Sequence, residues 1–225
     1  MIIAIDGPSG AGKSTLGKML ARELDLLYLD TGAMYRAGAL AVLRAGIPLE
    51  DEVGVADLIK SSAIELTGNA ENQRVSLDGA NVTAEIRTLE VAQAASRVST
   101  NSAVRRRMVE LQRQMGRKAL NGCVLEGRDI GSVVFPNADI KFFLTAEPAA
   151  RARRRFEEDK AKGRETTYEQ TLAEINERDE RDVSRDDSPL QIPEGAEVID
   201  TSELDLNEVF EQMLSVIRER KSAAA

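Results

Sequence analysis

The chain opens on Ile2-Ile3-Ala4-Ile5, an apolar run without polar alternation, the pattern of a strand buried on both faces. From Lys13 the spacing becomes helical. Leu16, Met19, Leu20 and Leu24 make one stripe over Lys13 to Leu24, and Leu26 to Leu29 then reads as a short buried strand ending at Asp30. A second helix is expected from about Ala33 to Arg44, with Thr31 as its N-cap and Gly46 as its stop. Between Ala63 and Thr83 the segments shorten. Ile64-Glu65-Leu66, Arg74-Val75-Ser76-Leu77 and Asn81-Val82-Thr83 are punctuated by Gly68-Asn69 and Asp78-Gly79, which predicts a small antiparallel β insertion.

Helical spacing resumes from Thr88 to Val98 and from Asn101 to about Leu120, followed by two apolar strands, Cys123-Val124-Leu125 and Ile140 to Leu144. Glu147 to Ala161 and Tyr168 to Arg185 are strongly charged helical segments joined through Lys162-Gly163-Arg164, with little apolar surface, and are expected to be mobile. Val198-Ile199 supplies a last strand. Leu206, Val209, Phe210, Met213, Leu214 and Ile217 then give an amphipathic helix, with Lys221 to Ala225 expected to fray. The alternation predicts one α/β unit, a doubly wound parallel sheet from which the β insertion and the charged helix pair are excursions.

Composition narrows the chemistry. Of 225 residues 42% are hydrophobic, enough for a substantial core, while a net charge of −8 opposes nucleic acids and anionic membranes. Against that background the clusters Arg105-Arg106-Arg107 and Arg151 to Arg155 suit a small anionic ligand, or else are solvated helix faces. There is no histidine and only one cysteine, Cys123, so His-based triads, His metal sites and an internal disulfide are excluded. Catalysis must rest on charge. The chain begins without a basic leader and holds no apolar stretch of membrane-spanning length, so the expectation is a soluble cytoplasmic protein.

The most informative motif lies between the first strand and the first helix. Gly7-Pro8-Ser9-Gly10-Ala11-Gly12-Lys13-Ser14 fits the phosphate-binding loop G-x-x-x-x-G-K-[ST]: glycines let backbone amides face a phosphate chain, Lys13 reaches the outer phosphates, and Ser14 offers a hydroxyl to Mg²⁺. The helix dipole beginning here, through Thr15, adds to the anion site. The predicted ligand is ATP with Mg²⁺. No Asn-Lys-x-Asp run for guanine is present, and the strand at Val124-Leu125 ends in Glu126-Gly127-Arg128-Asp129 rather than in the acid pair of a motor ATPase. An arginine beside an acid at a strand's carboxyl end faces the ligand crevice of such a sheet. Arg178, Asp182 and Arg185 align on one helix face, and Arg151, Arg154 and Arg155 on another. Together they suggest a lid bringing guanidinium groups to transferring phosphates, with Arg154 and Arg155 engaged on closure. These residues leave two other readings open: a kinase for another small acceptor, such as UMP, and a nucleotide-dependent switch.

Over its whole length the chain resembles the bacterial cytidylate kinase family, within the nucleoside monophosphate kinases. The resemblance rests on Ile5 to Lys13, Asp30-Thr31-Gly32-Ala33-Met34-Tyr35-Arg36, Glu85-Ile86-Arg87-Thr88, Gly127-Arg128-Asp129-Ile130-Gly131 with Val133 to Pro136, Glu177-Arg178-Asp179 to Asp182, and Ser188-Pro189-Leu190. Glu126 departs from it, standing where similar enzymes often carry Asp. The resemblance implies transfer of the ATP γ-phosphoryl group to CMP or dCMP by a monomer. It also implies a core of about residues 1–35, 88–146 and 186–220, a monophosphate-binding insertion of about 36–87 and a lid of about 147–185. In such enzymes the residues matching Thr31, Tyr35 and Arg36 line the monophosphate site, with Arg36, Arg128 and Arg185 on its phosphate. Those matching Ser96, Arg105 and Asp129 approach the cytosine, and those matching Arg178 and Asp182 the ribose. For Ser96 an ordinary helix-surface position stays open, as does a scaffolding role for Asp129.

Overall fold

A computed structural model describes residues 1–223. The chain runs through β1 (Ile2–Asp6), α1 (Lys13–Glu23), β2 (Leu27–Asp30), α2 (Thr31–Ala45) and α3 (Glu52–Ser61). Three short strands follow, β3 (Ile64–Thr67), β4 (Arg74–Leu77) and β5 (Ala80–Asn81), then α4 (Leu89–Val98), α5 (Ser102–Lys118) and β6 (Cys123–Glu126). The remainder is β7 (Ile140–Thr145), α6 (Pro148–Ala161), α7 (Tyr168–Ser184), β8 (Glu197–Asp200) and α8 (Leu206–Ala223).

β1 lies at the centre of a five-stranded parallel sheet ordered β2-β6-β1-β7-β8. Ile3, Ala4 and Ile5 have no exposed surface, as the unbroken apolar run requires of a strand covered on both faces. On one face Leu16 and Leu20 of α1 pack with Val209, Met213 and Ile217 of α8; on the other, Leu125 and Leu29 meet Ile130 and Val134. Register aligns the carboxyl ends, with Glu126 opposite both Ile5 and Asp30. Ligands of such sheets bind beyond those ends.

The insertion is the predicted antiparallel sheet, β3-β4-β5. Asp78 and Gly79, at φ 50° and 82°, make the tight turn between β4 and β5 that an Asp-Gly pair favours. Helix α3 has no counterpart in the sequence reading. It begins at an Asp51 cap that accepts from the Gly54 amide at 3.0 Å, and it buries fully only Val55 and Ile59, too short a stripe to stand out. The N-cap of α2 is also corrected. Asp30 accepts from the Ala33 amide at 2.9 Å, while Thr31 is already helical.

The charged helices α6 and α7 bury little apolar surface, and polar pairs hold them. Arg151, 2% exposed, forks onto Asp179 and also donates to the carbonyls of Ala146 and Ser9. Helix α7 starts in a reciprocal cap between Thr167 and Gln170. At the far end α8 continues through Lys221 and Ser222, where fraying is expected from sequence; residues 224 and 225 lie outside the described chain.

Candidate functional site

The phosphate loop leaves β1 against its neighbour. A Cβ on Gly7, at φ 143°, would fall 2.0 Å from the Leu144 carbonyl oxygen, so only glycine permits this approach. Gly12, at φ 89°, occupies the cap position of α1 and has no side chain to satisfy the first-turn amides, which stay open to an anion. The Lys13 ammonium folds back over the loop and donates to the Pro8 carbonyl at 2.6 Å. Burial and the neighbouring Arg128 guanidinium lower its pKa, while Glu126 and Asp6 support its charge.

Glu126, at the end of β6, is 4% exposed and accepts from the Tyr28 hydroxyl; the Ser14 hydroxyl lies within hydrogen-bonding reach. Burial and the Asp30 carboxylate raise its pKa. One hydroxyl and one carboxylate beside a phosphate loop form an oxygen donor set that fits Mg²⁺, which takes few protein ligands and completes its shell with phosphates and water.

Beyond Glu126 the cleft opens toward α2 and α5. Thr31 donates through its hydroxyl to the Glu126 backbone carbonyl at 2.6 Å. Asp30 receives Arg36 at 2.8 Å. Arg105, only 2% exposed, donates to Asp129 and to the Ser99 carbonyl, and its guanidinium lies 5.8 Å from the centre of the Tyr35 ring. Asp129 uses Oδ2 for this pair; Oδ1 makes no hydrogen bond among the described residues. Ser96 is not a free surface serine, because its hydroxyl accepts from Arg181 of α7 at 2.6 Å.

The lid side supplies the remaining cations. Arg128 donates to Asp182 at 2.8 Å, and Arg185 stands 3.6 Å from the other Asp182 oxygen. Arg178 makes no hydrogen bond to Asp182, although the two are one turn apart on α7. Among the described residues its Nε is buried without a partner, and so are those of Arg36, Arg105 and Arg185. Unpaired buried donors are unfavourable by about 1–3 kcal/mol each, more when charged, so four around one cleft suit it to an anionic ligand. Burial and the positive charge of Arg128, reinforced by Arg36 and Arg155, pull the pKa of Arg178 down to about 10. It remains protonated at neutral pH, and an anion would relieve that repulsion.

Two expected lid residues are occupied differently. Arg154 donates to the Thr201 hydroxyl at 3.1 Å and to the Thr201 and Ser202 carbonyls, while Arg155 pairs with Asp159 at 2.9 Å. All predicted site residues except Gly7 and Pro8 line a single cleft of about 1170 Å³; those two support the loop from behind. Sequence reasoning placed Asp30 at a strand end without giving it a role, and missed Tyr28. A short acid between a strand and a helix start is a cap signal that could have found the first. Nothing local marks the second, whose partner lies 98 residues away.

Comparison with known proteins bears on the same residues. The sequence model of the cytidylate kinase family matches residues 3–219. A protein named cytidylate kinase from Caldanaerobacter subterraneus subsp. tengcongensis is 50% identical over 216 residues, covering 96% of this chain and 94% of its own. Another of that name, from Geobacter sp. (strain M21), is 46% identical over 220 residues, covering 98% and 94%. Among solved structures, an uncharacterized protein from Eubacterium ventriosum shares the fold alone, at 12% identity and a TM-score of 0.55, with 97% of this chain and 98% of that one covered. Because the family match takes in both the phosphate loop and the distant Arg105–Asp129 pair, and the identity extends along nearly the full chain, this protein belongs to the cytidylate kinase family.

Proposed function

We propose that the protein transfers the γ-phosphoryl group of ATP to CMP or dCMP, giving ADP and CDP or dCDP. The observation that carries this reading is the single cleft joining the phosphate loop to the Arg105–Asp129 pair, with unpaired guanidinium nitrogens of Arg36, Arg178 and Arg185 also bordering it. Phosphoryl transfer needs positioning and charge stabilisation more than covalent help, so a site without histidine suffices. The loop amides from Ser9 to Thr15 and the Lys13 ammonium hold the donor phosphates, with Gly7 and Pro8 supporting the loop from behind. Ser14 and Glu126 would hold Mg²⁺, which would supply positive charge against the transferring phosphates. Arg36, Arg128 and Arg185, with Thr31 and Tyr35 beside them, hold the acceptor phosphate. Arg105, Asp129 and the Ser96 hydroxyl face the cytosine, and Asp182, fixed by Arg128, faces the ribose with Arg178.

The lid, residues 147–185, closes over this assembly and excludes water, while the insertion, residues 36–87, carries the acceptor side. The reading includes a monomer acting in the cytoplasm on small nucleotides rather than on nucleic acid or membranes, in keeping with the net charge of −8. Among the described residues no helix is long and apolar enough to cross a membrane.

A panel of nucleoside monophosphates with ATP and Mg²⁺ tests the reading. CMP and dCMP should give stoichiometric ADP and UMP far less; ADP formation independent of any monophosphate would overturn it. Within the lid, Arg155→Ala should lower kcat more than it weakens either nucleotide. Its Tm should barely move, since a half-exposed i,i+4 pair contributes about 0.3–0.5 kcal/mol. Arg154→Ala should lose stability as well, because it also releases Thr201 and Ser202. Full turnover in both variants with a lowered Tm would make the two arginines structural.

A further inference from the structure

We infer that Asp6 and Arg113 are positioning residues for acceptor recognition: from opposite ends they fix the turn that carries Arg128 and Asp129 into the cleft. The inference rests on the proposed reading of Asp129 as a cytosine contact. Residues Ile130–Val134 form one π-helical turn, closed by bonds from Val134 N to Asp129 O at 3.1 Å and from Phe135 N to Ile130 O at 2.7 Å. Because the Asp129 carbonyl is the first acceptor of that turn, any unwinding rotates Asp129 itself.

A π-helical turn is rarely stable alone, and its terminal groups need partners from elsewhere. Asp6 supplies them at the start. Its carboxylate accepts from the amides of Ile130 at 2.8 Å and Gly131 at 2.7 Å. Arg113 supplies them at the end, donating to the carbonyls of Val133 at 2.8 Å and Val134 at 2.9 Å. Neither side chain lines the cleft, so neither touches substrate. Asp6 has no exposed surface, and burial, with help from the Asp129 carboxylate, pushes its pKa up to about 6 despite the two amides. An acid in so unfavourable a place is explained by the turn it holds.

The two clamps belong to elements that already define the site. Asp6 is the residue before Gly7, so it ties the acceptor turn to the root of the phosphate loop. Arg113 lies two turns along α5 from Arg105, which grips the Asp129 carboxylate, so one helix holds both that side chain and the end of its turn.

The test measures kcat/KM for CMP and UMP in Asp6→Asn, Arg113→Met, Asp129→Ala and the core variant Ile199→Val. Asn at position 6 keeps one acceptor but turns an NH₂ group on the second amide. The CMP to UMP ratio should fall about tenfold or more in Asp6→Asn and Arg113→Met, with KM for ATP within about twofold in Arg113→Met, since small misplacements of a reading group cost up to about 100-fold. Ile199→Val should lower Tm and leave the ratio intact. If Asp129→Ala collapses the ratio while both clamp variants preserve it, or if Ile199→Val lowers it equally, the positioning role is wrong. If Asp129→Ala itself preserves the ratio, the cytosine contact has failed and the inference falls with it. Should Asp6→Asn not fold, Arg113→Met decides alone.

Discussion

Lys13→Ala is expected to lower kcat by about 10² to 10³ while CMP binding, followed by calorimetry, stays close to that of the parent protein. The ammonium group is buried, held at the Pro8 carbonyl, and repelled by Arg128. A positive charge kept in so unfavourable a position becomes most stabilised when negative charge develops beside it, as it does on the phosphate oxygens during transfer. Its contribution should therefore be larger in the transition state than in the ground state, which is the condition for an effect on kcat. Alanine also leaves the Pro8 carbonyl without its donor, a local loss of about 1 kcal/mol that should lower Tm slightly without disturbing the acceptor end. Turnover within a fewfold of the parent would remove Lys13 from the chemistry.

Asp129→Ala should collapse the preference for CMP over UMP. Cytosine presents an amino donor where uracil presents a carbonyl acceptor, so the unpaired Oδ1 of Asp129 attracts one base and repels the other. Asp129 is 5% exposed, dry enough for a buried polar mismatch to reject a substrate by about 10⁴. CMP should lose far more kcat/KM than UMP. The same variant strands the Arg105 guanidinium in a buried site, and breaking a buried pair from one side costs about 3–5 kcal/mol, so Tm must be followed in parallel. Asp129→Asn separates the two effects. It keeps the shape of the side chain and an oxygen for Arg105, but its amide can donate to uracil, so the preference should flatten in a protein more stable than the alanine variant. A proportional loss for both substrates in both variants, with the ratio unchanged, would leave Asp129 as a scaffold for the strand end.

The parts of this protein that sequence determined are those governed by neighbours a few residues apart. The apolar run of β1, the glycines from Gly7 to Gly12 and the stripe of α1 specify strand, loop and helix within 24 residues, because strand burial, positive φ and helical periodicity are all local properties. The Asp78-Gly79 turn and the Gly46 stop of α2 are legible for the same reason. Helix α3 escaped because two buried positions make too weak a period, and the α2 cap was misplaced by one residue because Asp30 and Thr31 are both good caps. The choice was made by Glu126, 95 residues further on, whose carbonyl takes the Thr31 hydroxyl and leaves the cap to Asp30.

Tertiary structure alone decided the partnerships of the charged residues. Sequence placed Arg151, Arg154 and Arg155 on one face, yet one clamps Asp179, one ties down Thr201 and one stays with Asp159. It placed Arg178 and Asp182 on one helix face by spacing, whereas Arg128, 54 residues from Asp182, takes that carboxylate, and the Arg178 Nε has no partner among the described residues. Asp6, next to the best-read motif in the chain, gave no sign of its two bonds to a turn 124 and 125 residues distant. Helical periodicity follows from backbone geometry repeated at each residue, so it can be read from the chain. The partner of a guanidinium is set by which carboxylates the fold brings within about 3 Å and how far it removes them from water, and neither quantity exists until the strands have paired.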